Sequence, residues 1–218
     1  MAQLFRPGID TIARAILLAL VILPFAGVGL AYTLRVSPYA TDQHATIDQP
    51  APFSHKHHVG DLGIDCRYCH TSVEKARYAG MPPTSTCMTC HSQIWTNAKL
   101  LAPVRDSYAE RRPIHWKRVH RLADYVYFDH AIHVAKGVGC SSCHGAVHEM
   151  ALMRQAAPLT MAWCLNCHRN PGAQMRPEAE IYDTAWSTGR NPLDQARAYV
   201  AQHHVEVSHL TDCTVCHR

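Results

Sequence analysis

The feature that most constrains this chain is the placement of its cysteines. All ten fall into Cys-x-x-Cys pairs, and a histidine directly follows each second cysteine. The five motifs occupy residues 66–70, 87–91, 140–144, 164–168 and 213–217. The chain therefore carries five chemically equivalent sites, and its fold must accommodate all of them.

The spacing within each motif suits covalent attachment of haem. Two thiols three residues apart can form thioether bonds with the two vinyl groups on one edge of a haem, and the adjacent histidine then reaches the iron as its proximal ligand. We therefore expect five haem c groups, numbered 1 to 5 in chain order. The attachment residues are Cys66, Cys69, Cys87, Cys90, Cys140, Cys143, Cys164, Cys167, Cys213 and Cys216. The proximal iron ligands are His70, His91, His144, His168 and His217.

Two other uses of paired cysteines compete with haem attachment. Cysteines in an exported chain can form disulfides, and Cys-x-x-Cys pairs can hold zinc. Neither use requires a histidine directly after every second cysteine. The full motif occurs five times without exception, which favours haem.

Chain length limits how such haems can be buried. Apart from residues 1–40, about 180 residues must hold five haems, which is too little chain for a conventional apolar core around each. We expect the haems themselves to form most of the core. Short helices are predicted at 71–78 and 193–202 and a helical turn at each haem motif, with no sustained strand alternation outside 125–128. The expected fold class is mostly α with much irregular loop, comprising one N-terminal transmembrane helix and a multihaem cytochrome c domain.

The N-terminal part contains a long apolar segment. Residues 15–34 carry no charge, and as a helix they would span about 30 Å, the thickness of the hydrocarbon core of a bilayer. Pro24 lies inside this segment, and membrane helices tolerate proline. The segment is expected to be a single-pass anchor in the cytoplasmic (inner) membrane.

The charges beside this segment predict its orientation. Arg6 and Arg14 precede it, so the positive-inside rule places residues 1–14 in the cytoplasm and residues 35–218 on the periplasmic side. A cleaved signal peptide is the alternative, because residues 29–31 form a passable cleavage site. The length of the apolar run favours a retained anchor.

The overall charge offers little information about partners. The net charge is +4 at pH 7, and the basic residues are scattered rather than clustered. This pattern indicates a solvated surface and counterions for haem propionates, and it favours no nucleic-acid site.

Beyond the anchor the sequence contains an internal duplication. A Phe-x-His-x-x-His element precedes a pair of haem motifs in segment 53–91, and the same order recurs in segment 128–168. The fifth motif is an additional unit at 203–218. Proline-containing connectors at 92–127 and 169–212 are expected to be extended.

The number of histidines available as second ligands indicates whether each iron has a free coordination position for a substrate. Of seventeen histidines five are proximal, so twelve remain for five irons. A second histidine on each iron suits electron transfer, whereas an open position could bind a small substrate. The predicted distal ligands are His55, His58, His120, His130 and His133. The first histidine of each element is expected to cap its own haem and the second, three residues on, a neighbouring haem.

Several residues remain as reserves for these roles. His57 breaks the spacing and is interpreted as a bystander, whereas His148, His203, His204 and His209 are reserve ligands. Methionine sulfur is the other possible ligand, at Met81 or Met161. Packing on a haem face is the favoured interpretation of both methionines.

The motifs resemble two groups of known proteins. The paired Phe-x-His-x-x-His elements resemble those of small multihaem cytochromes of the c3 and c7 type. Segments 119–133, 137–145, 158–169 and 210–218 resemble the pentahaem cytochrome c subunit (ActA) of alternative complex III, a quinol:electron-acceptor oxidoreductase.

This second resemblance implies an electron-carrier subunit that is not an enzyme by itself. Quinol would be oxidised in partner subunits, among them iron–sulfur and polytopic membrane subunits in the lipid bilayer. Electrons would leave to a monohaem cytochrome c or another periplasmic or membrane acceptor. The alternatives are a stand-alone membrane-anchored quinol dehydrogenase that feeds periplasmic reductases, and a multihaem reductase with a vacant iron.

Overall fold

The computed structural model describes residues 8–186 and 193–217. The chain divides into two compact units, Met1–Asp42 and Gln43–Arg218. The haem motifs all lie in the second unit.

The first unit is built around one long helix. Helix α1 spans Ile9–Val36, and a single turn, α2, follows at Pro38–Thr41. Asp10 in the first turn of α1 and Arg35 in its last turn complement the helix dipole. Helix α1 has 28 residues, none of them buried, and contains an 18-residue stretch with a mean hydropathy of 2.4, so it is long and apolar enough to cross a membrane. A signal sequence would have the same properties.

The second unit consists of short helices joined by irregular segments. Its α-helices are α3 Cys66–Cys69, α4 Thr84–His91, α5 Ala102–Glu110, α6 His130–Ala135, α7 Ser141–His144, α8 Met161–Arg169, α9 Leu193–Gln202 and α10 Cys213–Cys216. A π-helix covers Lys56–Asp61, and 3-10 turns cover Lys99–Leu101, Val147–Glu149, Pro171–Ala173, Glu178–Glu180 and Val207–His209. The described residues contain isolated β-bridges but no strand. The mostly helical fold class with an apolar N-terminal helix is confirmed.

Each haem motif lies on a short helix, as the sequence predicts. A helical turn brings residues i and i+3 to the same side, which points both thiols of a motif in one direction. Two of these helices begin at polar caps. The Asp65 carboxylate accepts a hydrogen bond from the backbone N–H of Arg67 at 2.8 Å, and the Thr160 hydroxyl accepts one from Trp163 at 3.4 Å.

Two of the expectations for secondary structure outside the motifs differ from the structure. The helix predicted at 193–202 is present as α9. Residues 71–78 form turns and bends rather than the expected helix, and the Ser72 hydroxyl donates to the Tyr78 carbonyl at 3.0 Å across this turn. Segment 125–128 contributes only an isolated bridge from Val126 to His217.

Few apolar side chains are buried in the described part of the second unit. They are Ala51, Val73, Val104, Val147, Met150, Ala157, Met175, Ile181 and Ala196. Most of these are small, and such a set cannot by itself form the interior of a unit of this length. Arg176 is fully buried beside them, and its guanidinium donates to the Asp183 carbonyl at 2.8 Å.

Candidate haem sites

The ligand histidines are oriented by hydrogen bonds at one ring nitrogen. A backbone carbonyl oxygen can only accept a hydrogen bond, so a histidine Nδ1 beside one carries the proton and leaves Nε2 free for a metal. Four proximal candidates have this arrangement. The Nδ1 to oxygen distances are 2.7 Å from His70 to Gly80, 3.4 Å from His91 to Ile94, 2.8 Å from His168 to Leu210 and 3.3 Å from His217 to Tyr125.

Three of the distal candidates show the same arrangement. The distances are 2.8 Å from His58 to Ser54, 2.9 Å from His130 to Arg77 and 2.7 Å from His133 to Asp129. Two of these carbonyls lie four residues before the histidine in the same element, so the local turn itself orients the ring. The third, at Arg77, comes from the other duplicated segment.

Three pairs of rings are spaced as opposite ligands of one metal ion would be. The ring centroids lie 6.2 Å apart for His58 and His91, 6.3 Å for His130 and His144, and 6.2 Å for His133 and His168. Two imidazoles on opposite sides of one metal ion, each bound at about 2 Å, have centroids about 6 Å apart. Each pair joins one motif histidine to one histidine of a Phe-x-His-x-x-His element. This arrangement fits haem iron between the two rings.

His55 lies close to the proximal histidine of the first motif. Burial, and after it the proximity of His70, lowers the pKa of His55 to about 4. Within the described residues, the buried Nδ1 of His55 has no hydrogen-bond partner. The structure thus brings His55 together with its own motif, in parallel with His130 in the second segment.

His120 lies beside His144 rather than alone. The His120 Nε2 is 3.1 Å from the His144 Nδ1, and the ring centroids are 4.3 Å apart. Burial, and after it His130, lowers the pKa of His120 to about 4, so this ring is neutral near pH 7. The ring that contacts His217, in the fifth motif, is that of Tyr125 at 5.6 Å.

The reserve residues have contacts of other kinds. The His57 ring stacks against Trp95 at 6.0 Å, and the His148 Nδ1 lies 3.1 Å from the Thr184 hydroxyl. The His209 Nδ1 lies 3.0 Å from an Asp212 carboxylate oxygen. Met81 and Met161 are exposed, with 59% and 62% of their surface accessible. His203 has its Nδ1 3.3 Å from the Ala135 carbonyl oxygen and a buried Nε2 that no described residue contacts by a hydrogen bond.

Contacts join the five motifs in a continuous series. The hydroxyl groups of Tyr68 and Thr89 are 2.8 Å apart and connect motif 1 to motif 2. The Cys66 and Cys140 thiols, of motifs 1 and 3, are neighbours, and the proximity of Cys140 lowers the pKa of Cys66. Motif 1 therefore lies between motifs 2 and 3.

The remaining contacts extend this series towards the C-terminus. Burial, followed by the nearby Cys167 and Cys164 of motif 4, raises the pKa of the Cys143 thiol of motif 3 to about 12. Burial and then Cys216 of motif 5 raise the pKa of Cys164. The series of neighbouring motifs is therefore 2, 1, 3, 4, 5.

Arg77 makes contacts between the two duplicated segments that were not predicted from the sequence. Its guanidinium donates to the Phe128 carbonyl at 2.9 Å and to the Val126 carbonyl at 3.1 Å, while its own carbonyl accepts from the backbone N–H of His130 at 3.1 Å. Arg77 thus holds the second ligand segment against the first. No spacing or repeat in the sequence distinguishes it from the other scattered arginines.

The donor set argues against a metal ion bound by side chains alone. Residues 8–186 and 193–217 contain no group of three or more His, Cys, Asp or Glu side chains placed to hold a metal ion. The histidines occur as opposed pairs, and the thiols lie beside them. Such a set fits haem c, whose tetrapyrrole would supply the other donors to each iron.

Comparison with known families agrees with this site chemistry. Residues 126–218 match the model of the family described as cytochrome c7 and related cytochrome c. The matched region begins just before the second Phe-x-His-x-x-His element and includes motifs 3 to 5. This region is accordingly cytochrome c7-like, which agrees with c-type haem at its motifs.

A characterised relative makes the similarity more specific. The multiheme cytochrome c subunit of menaquinone reductase from Nitratidesulfovibrio vulgaris strain Hildenborough is 36% identical over 98 residues. The aligned region covers 44% of this chain and 46% of that protein, so the chain spans less than half of the length of its relative.

Proposed function

We propose that this chain is the electron-transfer subunit of a membrane quinol-oxidising complex and carries five haem c groups. It receives electrons derived from quinol in partner subunits and passes them to a periplasmic or membrane acceptor. The observation that carries the proposal is the continuous series of neighbouring motifs, each adjacent to the next. The resemblance to the pentahaem subunit of alternative complex III supports the place of this series in a quinol-oxidising complex.

The residues that would hold each haem follow from the geometry. The cysteines of each motif anchor the haem, and the paired rings are His58 with His91, His130 with His144 and His133 with His168. His55 is proposed to face His70 at haem 1. When bound, haem supplies one-electron redox chemistry.

The protein's own groups would keep these sites suited to electron transfer. Carbonyl acceptors fix the protonated nitrogen of seven ligand candidates, so each ring presents Nε2 without a change of tautomer. Two histidines on one iron leave no position for a substrate. This saturation favours the electron carrier over a multihaem reductase.

The N-terminal helix is proposed to anchor the chain in the membrane. Helix α1 has the length for this role, and Arg14 near its start favours a cytoplasmic N-terminus. The haem domain would then be periplasmic. Iron–sulfur and polytopic membrane subunits are the proposed partners, as the resemblance to alternative complex III implies.

The name of the relative from N. vulgaris supports a second candidate function, in which electrons flow towards the quinone. Its name assigns it to a menaquinone reductase, in which electrons move towards the quinone. The same series of haems could serve that direction, because a chain of electron carriers conducts either way. The direction is set by the partners at each end.

Purification of the complex from its native membranes tests this function. We expect the chain to have the mass of the polypeptide plus five haems and to co-purify with iron–sulfur and polytopic subunits. A lone, stable monomer or a lower haem number would contradict the proposal. Reduction of the haems by added quinol would identify the quinol-oxidising direction, and oxidation of reduced haems by menaquinone would identify the other.

A further inference from the structure

His144 differs from the other proximal candidates in the partner of its Nδ1. Four proximal and three distal candidates face a backbone carbonyl at this atom, whereas His144 faces Nε2 of His120 at 3.1 Å. The second imidazole meets the first at an interplanar angle of 74°. The exception occurs at motif 3, in the middle of the series of motifs.

The direction of this hydrogen bond follows from ligation. If His144 binds iron through Nε2, its Nδ1 must carry the proton and donate it. The Nε2 of His120 is then the acceptor of this hydrogen bond. That atom cannot at the same time bind an iron.

We infer that His120 is a positioning residue that accepts a hydrogen bond from the proximal ligand of haem 3 and lowers the reduction potential of that haem. An imidazole nitrogen is a stronger base than an amide oxygen, so it draws the shared proton further from His144. The electron density left on His144 favours the oxidised iron. This inference rests on the proposed haem attachment at Cys140 and Cys143.

The same inference changes the role expected for His120 from the sequence. As a distal ligand it would complete the fifth haem, whereas as an acceptor it acts through His144. The two roles make opposite demands on one atom, Nε2. A substitution at His120 therefore distinguishes them.

The ring angles distinguish the signal of haem 3 from that of haem 2. His130 and His144 are nearly parallel at 13°, whereas His58 and His91 stand at 69°. Low-spin ferric haems with near-parallel imidazoles give a less anisotropic electron paramagnetic resonance signal than those with near-perpendicular imidazoles. A redox titration followed by this resonance can therefore track haem 3 separately from haem 2.

The experiment compares His120→Ala, His120→Gln and the exposed control His115→Ala in the full chain within its native complex. Mass spectrometry first establishes the haem number in each. For His120→Ala we expect as many low-spin haems as in the wild type, and an upward shift in the midpoint potential of the haem 3 signal but not of the haem 2 signal. His120→Gln retains an acceptor oxygen, so its shift should be smaller in the same direction, and His115→Ala should cause none.

Two results would overturn the inference. The first is a high-spin ferric signal in either His120 variant that is absent from the wild type, which would show that His120 is an iron ligand. The second is an unchanged haem 3 potential in His120→Ala or, if that variant does not mature, in His120→Gln. A wild-type chain without haem at motif 3 would instead refute the proposed function on which the inference rests.

Discussion

The two duplicated segments, 53–91 and 128–168, repeat the contacts of their ligand histidines closely. In each segment the phenylalanine stacks on the second histidine and meets the first edge-on. The centroid separations are 4.4 Å for Phe53 and His58, 4.5 Å for Phe128 and His133, and 4.8 Å for both Phe53 with His55 and Phe128 with His130. A short local pattern is thus sufficient to place two ligands three residues apart.

The surroundings of these ligands differ between the segments. The first element continues as the π-helix Lys56–Asp61, whereas the second forms α6, capped by the Asp129 carboxylate. His130 donates to a carbonyl of the other segment, and His144 faces His120, contacts that the first segment does not repeat. The local sequence therefore specifies how the two candidate ligands are placed, while long-range contacts specify the environment of each site.

The largest effect should come from removing the second histidine of either element. His58→Ala and His133→Ala each remove one ring of an opposed pair, so each should convert one haem from low-spin to high-spin. Optical and electron paramagnetic resonance spectra of the purified chain measure this. His57→Ala, beside His58 but not in a ring pair with a motif histidine, is the matched control. A variant that keeps all the low-spin haems of the wild type would contradict ligation by the histidine that it lacks.

A smaller effect is expected on stability: substitution of Gly139, just before motif 3, should cost more unfolding free energy than substitution of Asp65, just before motif 1. A methyl group on Gly139 would overlap the guanidinium of Arg176, which is held by the Asp183 carbonyl and the Ser141 hydroxyl. Gly139→Ala should therefore lower the free energy of unfolding by about 1–3 kcal/mol. Thermal unfolding of the haem-loaded chain measures the loss.

The matched change in the first segment is Asp65→Ala. It removes the helix cap at the Arg67 backbone N–H and the exposed ion pair with the Arg67 guanidinium, at a combined cost of about 1 kcal/mol. A loss in Gly139→Ala no larger than in Asp65→Ala would contradict the tight packing at motif 3.

The two phenylalanines should have nearly equal importance. Phe53→Leu and Phe128→Leu each keep most of the apolar volume but remove two ring contacts, so each should cost about 1 kcal/mol of unfolding free energy. Denaturant unfolding of the two variants measures this. If the two variants lose markedly different amounts of unfolding free energy, the two phenylalanines do not stabilise their segments equally.

The smallest effect concerns acid stability in the first segment. The hydrogen bond from the Arg67 guanidinium is the main cause that holds the pKa of Asp65 below its usual 3.8. A lowered folded-state pKa means that this stabilisation is present above about pH 4 and is lost as the pH falls through the folded-state pKa. Asp65→Asn should remove this acid-dependent part of the stability.

The pH dependence of thermal unfolding measures this change. The exposed Asp124→Asn is the control, and Gly139 at the equivalent position in the second segment has no carboxylate. If the stability of Asp65→Asn falls with pH as that of the wild type does, the Asp65–Arg67 pair does not contribute to acid-dependent stability.

Much of the fold could be predicted because it depends on short patterns. The helical turns at the motifs and the helix at 193–202 follow from local spacing, and the structure contains them. Segment 71–78 failed as a helix because the Ser72 side chain and backbone bonds of its neighbours favour a turn that returns the Gly80 carbonyl to His70. This turn is stabilised by a contact between Gly80 and His70, which both lie outside residues 71–78.

The environment of the candidate site was less predictable. The link from Arg77 to the second segment and the contact of His120 with His144 each join residues 24 or more positions apart. No periodicity encodes such pairs in a single sequence. The order of the motifs in space is likewise set by thiol and side-chain contacts between segments, not by the order of the motifs along the chain.

Cryo-electron microscopy of the haem-loaded chain in its native complex tests the central claim most directly. We expect five covalently attached haems, arranged in space so that adjacent haems follow the order 2, 1, 3, 4, 5. We also expect His58 opposite His91, His130 opposite His144 and His133 opposite His168. A different order, or one of these irons with an open position, would contradict an uninterrupted series of saturated electron carriers.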